Sequence, residues 1–178
     1  MRAADALTRL QDAAVLWSAR AATPAEVIEA ACDCLVAGVD GPSLRILAGI
    51  SGARGGDSGE PRRWLGDTLA ELSLTHYREG SRDAEDAAVR IMARRLLAGH
   101  LTPRELTAWA YRYVTRDGTP LTEELLDLDN AYEYVEAVVH DGQAYPTAAA
   151  AEVDAYVIAE ARRLVGDTAT GPAPTAHP

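Results

Sequence analysis

Asp129, Glu133, Glu136 and His140 recur at spacings of three and four, and on a helix of 3.6 residues per turn they fall within about 60° of one another. Carboxylates ending in an imidazole could hold a divalent cation or non-haem iron, or serve as an acid/base set. The spacing, however, is Glu136-x-x-x-His140, whereas di-iron helical bundles use paired Glu-x-x-His sets, and the chain contains no second such set. Carboxylates at i, i+4 repel by about 0.2–0.5 kcal/mol, so the stripe calls for compensation. The segment 90–116 offers it, with six arginines against one glutamate. Arg95 falls inside the apolar sector of its own helix and needs a carboxylate. The expected structural ion pair is therefore Arg95 with Asp129 or Glu133, while Glu136 and His140 are the metal-binding alternative.

Other chemistry is thinner. There is no lysine, which excludes a Walker-type lysine, a Schiff base and a Ser-Lys dyad. Cys32 and Cys34 lie two apart on a predicted helix, so they point to opposite sides and form a poor internal disulfide. Cys34 falls on the apolar face and Cys32 at its flank, and nothing nearby would activate either thiol. The glycine-rich run 49–61 lacks both a preceding strand and a phosphate-binding lysine. Residues 88–115 can be read as helix-turn-helix, with Arg104, Thr107, Tyr111 and Arg112 turned outward. Against that stands a net charge of −10, which opposes phosphate binding and favours a basic partner. No run of apolar residues approaches a membrane span and the N-terminal stretch has no long apolar core, so a cytoplasmic protein is expected.

The elements that must position these residues are helical throughout. Apolar spacings of three and four place helices over 3–20, 24–37, 43–48, 62–72, 84–98, 103–115, 121–139 and 147–164. Thr23-Pro24-Ala25-Glu26 and Thr102-Pro103-Arg104-Glu105 each combine a capping hydroxyl, proline at the first helical position and a glutamate three residues on, the signature of a capping box. The 84–98 segment is apolar around most of its wheel, which predicts neighbours on most sides. The chain reads as an all-α, single-domain bundle of about seven helices around 84–98, without a sheet, over residues 1–166, with a disordered tail at 167–178.

Three segments, CLVAGVDGPSLRILAG (34–49), AVRIMARRLLAGHLTPRELTAWA (88–110) and LLDLDNAYEYVE (125–136), together resemble a family of small, acidic, Ala/Arg-rich helical proteins of unknown function from high-GC bacteria. The resemblance implies a helical fold and carries over no catalytic residue. Taken with the charge, the chain is expected to be a non-enzymatic interaction module, similar in general character to immunity or antitoxin proteins. Its acidic surface of Glu123, Glu124, Asp127 and Glu133 would meet a basic protein, with Tyr111 or Tyr134 as aromatic anchor and with no cofactor. A carboxylate/His metal enzyme on 121–140 and a DNA-binding regulator on 88–115 are the alternatives.

Overall fold

The computed structural model describes residues 1–50, 59–114, 119–140 and 147–166, apart from the side chains of 136–140 and 147–148. The expected disordered tail at 167–178 and most of the glycine-rich run lie outside the described residues. The described residues form eight α-helices and no strand: α1 (Ala3–Ser18), α2 (Pro24–Val36), α3 (Pro42–Gly49), α4 (Gly59–Glu71), α5 (Arg82–Leu97), α6 (Pro103–Tyr113), α7 (Glu123–His140) and α8 (Thr147–Val165). A 3-10 turn, Pro120–Thr122, leads into α7. Contacts divide the chain into two compact units, residues 1–88 and 89–178, with the division inside α5. That helix carries Ala84, Ala88, Val89, Ile91, Met92, Ala93 and Leu96 in buried positions, as its apolar wheel requires, and leaves Arg90 and Arg94 exposed.

In the first unit, α1 to α4 pack each on the next. Their core brings together Leu10 and Trp17 of α1, Val27 and Cys34 of α2, Leu44 and Leu47 of α3, and Leu65 and Leu69 of α4. The connector after α4 is tied to α1 by polar contacts, because its backbone cannot reach a helical partner of its own. The Gln11 amide donates to the Thr75 carbonyl at 2.9 Å and accepts from the Thr75 N–H at 2.7 Å, while the Gly80 N–H donates to the Ser18 carbonyl at 2.8 Å. Arg62 lies 4.5 Å from the centre of the Trp17 ring and 2.7 Å from Glu79.

Both capping boxes form. The Glu26 carboxylate accepts from the Thr23 N–H at 2.6 Å and the Glu105 carboxylate from the Thr102 N–H at 2.7 Å, and each threonine hydroxyl accepts from the glutamate's own N–H. Helix α3 is started differently. Its Ser43 N–H donates to the Glu71 carboxylate at the end of α4, 2.9 Å away. A Cβ on Gly41 would fall 1.4 Å from Glu71 Oε1, so glycine leaves room for a cap supplied by another helix.

In the second unit α6 packs on both α7 and α8, and α7 packs on α8. Leu106 and Ala110 of α6, Leu125 of α7 and Val157 and Ala161 of α8 are fully buried. Thr107, expected to face outward, is fully buried as well, with its hydroxyl donating to the Arg104 carbonyl at 3.1 Å. A helix with two neighbours buries a wider sector than the single stripe its sequence displays.

The boxes yield two expected outcomes. Thr23→Ala should lower unfolding free energy in urea by about 1 kcal/mol, the usual value of a lost N-cap. Hydrogen bonds from the Thr102 N–H and then its hydroxyl hold the Glu105 carboxyl below its ordinary 4.5. A depressed carboxyl stabilises above its unfolded value and ceases to as pH falls through its folded one. The stability gap between wild type and Glu105→Gln should thus be full near neutral pH and shrink on acidification below about 4.5, as read by denaturant titrations across pH.

Candidate functional site

Helix α7 organises the second unit, and its inward face is set by one buried charge. Asp129 is 3% exposed and is ion-paired with Arg104, from the first turn of α6. The same guanidinium lies 5.3 Å from the centre of the Tyr132 ring, and the Tyr132 hydroxyl donates to Asp154 of α8. Two carboxylates, one guanidinium and one phenol thereby link three helices.

The partner of Asp129 is Arg104 and not Arg95, and Glu133, the other carboxylate expected for Arg95, is exposed and makes no ion pair among the described residues. Arg95 is half-buried with its guanidinium 3.9 Å from the Met92 sulfur on its own helix. Helical periodicity places Arg95 on an apolar sector but says nothing of its height relative to α7, whereas Arg104 at the start of α6 can reach Asp129. The pairing also takes Arg104 away from the outward position that a helix-turn-helix reading requires. With Thr107 buried, only Tyr111 and Arg112 of the four expected readers are exposed. Glu160, which interrupts the apolar face of α8, is buried and accepts from Arg163 at 2.7 Å.

Outward, α7 presents Glu123, Asp127, Asn130 and Tyr134, all exposed. At spacings of four, three and four they line one face as a ridge. Glu124 and Glu133, also exposed, stand on either side of it. Among the described residues Glu123, Asp127 and Glu133 make no ion pair. Tyr134 is 73% exposed and Tyr111 of α6 is 60% exposed, so every residue expected at a partner surface is open to solvent.

A groove runs along each side of the ridge. The larger, of about 520 Å³, is bounded by Glu124, Leu128, Ala131, Tyr134 and Val135 of α7 and by Ala149, Glu152, Val153 and Tyr156 of α8. The smaller, about 340 Å³, lies at Tyr111 and Val114 on one side and Leu126 and Asn130 of α7 on the other. Periodicity assigns Tyr156 to the core of α8, but it is 57% exposed, with its hydroxyl 3.4 Å from Glu152 Oε1. The α8 wall is thus the part of the site that sequence reasoning missed. An alternation of Ala149, Val153 and Tyr156 with Glu152 was the available signal, but it reads equally as a core stripe with one polar neighbour.

Other chemistry finds less footing. The side chains of Glu136 and His140 lie outside the described residues, and among those described no cluster of three or more His, Cys, Asp or Glu could hold a metal ion. Cys34 is fully buried, and burial, followed by the charge of Asp33, pushes its thiol up, opposite to what a nucleophile needs. Cys32 is exposed, as its flank position implies. No helix among the described residues is long and apolar enough to cross a membrane. Comparison with protein-family models, curated proteins and solved structures gives no match for this chain.

Removing the Arg104 guanidinium would leave a buried carboxylate without its cation. Loss of one member of a fully buried pair costs 3–5 kcal/mol; with Arg104 34% exposed, Arg104→Ala is expected to cost about 2 kcal/mol. Arg95→Ala should cost clearly less, and urea denaturation of the two variants side by side checks the order.

Proposed function

We propose that this protein is a non-enzymatic interaction module that captures a basic protein partner on the α7 ridge, in the manner of an immunity or antitoxin protein masking a basic effector. The observation that carries this reading is the ridge itself. Glu123 and Asp127 are exposed and without a cation of their own among the described residues, in line with a solvent-facing Tyr134. Solvated carboxylates on one face attract a basic partner at long range and speed encounter, and an exposed aromatic supplies contact area once the partner has docked. The net charge of −10 extends the same field over the molecule. Two free cysteines suit a reducing cytoplasm, where we place the protein.

The buried Asp129 and its Arg104 are scaffolding in this reading, since the pair neutralises itself inside the unit and leaves Glu123, Asp127 and Glu133 on the outer face without an ion pair among the described residues. A DNA-binding role is disfavoured by the use of Arg104 in that pair and by the burial of Thr107.

The test is capture from host lysate at low and then moderate salt, comparing wild type with the triple variant Glu123→Arg, Glu124→Arg, Asp127→Arg. A basic protein should bind wild type, be released as salt screens the contact, and bind the variant about tenfold or more weakly, because each reversal replaces an attraction by a repulsion. Circular dichroism should be unchanged, all three positions being exposed. Equal capture by the folded variant would overturn the reading.

A further inference from the structure

We propose that the groove between α7 and α8 receives the apolar face of a basic amphipathic helix of the partner, whose arginine or lysine side chains meet Glu124 and Glu152. The inference rests on the acidic-ridge reading for the sign of the partner's charge and adds the form in which that charge is presented.

Three observations select this occupant. The floor of the groove is aliphatic, formed by Leu128, Val135 and Val153, so it favours a ligand with an apolar side. Among the described residues that line it, those carrying a charge at neutral pH are Glu152 and Glu124, the latter also within the field of Arg163, and both favour a cation over an anion. Tyr134 and Tyr156, both largely exposed, add ring faces that attract guanidinium or ammonium groups. Length then discriminates among cationic ligands. From Glu124 to Val135 the wall of α7 extends about 16 Å at 1.5 Å per residue, which matches about three turns of a docked helix and exceeds a single side chain. Recognition of an amphipathic helix in such a groove proceeds through anchors one turn apart. The volume of about 520 Å³ is that of a site able to bury several such anchors.

The experiment uses the full chain and three labelled helical peptides of about twelve residues, slightly longer than the groove at 1.5 Å per residue. One carries leucines on one face and arginines on the other, one replaces the leucines by serine, and one replaces the arginines by glutamate. Fluorescence anisotropy at low salt should give tightest binding for the Leu/Arg peptide, about tenfold weaker binding for the Ser/Arg peptide, and none for the Leu/Glu peptide. The variant Tyr156→Ala, Glu152→Gln changes only exposed groups on α8, away from the ridge. It should weaken the Leu/Arg peptide about tenfold and weaken the Ser/Arg peptide as well, since the arginines of both would meet Glu152 and Tyr156.

Equal affinity for the Leu/Arg and Ser/Arg peptides, or no effect of the α8 variant, would overturn the groove assignment. If the Glu123, Glu124 and Asp127 reversals still abolished binding in that case, the acidic ridge would stand without it. Failure of wild type to bind either arginine peptide would remove both. Concentration-dependent self-association in sedimentation, abolished by the α8 variant, would place a second copy in the groove and also overturn the assignment.

Discussion

A carboxylate removed from water must be given back what water supplied, and in the second unit that requirement falls on Asp129. Its charge is compensated by Arg104, and because Arg104 belongs to α6 and Asp129 to α7, the compensation is also a distance constraint between two helices. Tyr132 extends it: the ring receives the guanidinium on its face and the hydroxyl reaches Asp154 on α8. Leucines and valines would hold these helices together in several rotational settings, but a chain of directional contacts admits few. Turning α7 about its axis would break the pair, so the orientation that buries Asp129 also decides which residues are left facing solvent.

The ridge and its flanking grooves follow from that setting. With Asp129 and Tyr132 inward, Glu123, Asp127, Asn130 and Tyr134 must point outward, and Leu128, Ala131 and Val135 fall on the flank toward α8. The charge of α7 is accordingly divided. Asp129 is neutralised inside, where an unpaired charge would be costly, and Glu123, Glu124, Asp127 and Glu133 stay hydrated, where their mutual repulsion is screened.

Reading the helices from sequence succeeded wherever the determining contacts are local. Thr23 with Glu26 and Thr102 with Glu105 close their boxes within four residues, and both helix starts are as the sequence implies. The apolar wheel of α5 likewise corresponds to its burial. Failures came where the deciding partner is remote. Helix α3 is capped by Glu71, 28 residues from Ser43, which no local pattern announces. Arg95 and Arg104 are both plausible partners for Asp129 by residue type, and only the placement of α6 chooses between them. Tyr156 shows the converse: its spacing fits a core stripe, yet α7 does not extend over it, and it became part of a groove wall. The acidic face of α7 was legible because no basic residue interrupts it, whereas the groove needs two helices to exist.

The paired Thr-Pro-x-Glu boxes also bear on how the chain begins to fold. Starting a helix is its least favourable step, since several residues must be fixed before the first hydrogen bonds repay them. Proline at the first helical position and a glutamate that closes back on the cap reduce that cost using a few consecutive residues alone. One such start lies in residues 1–88 and the other in 89–178. Each half therefore carries its own initiation point, and a chain emerging from the ribosome can begin ordering α2 before α6 has been synthesised.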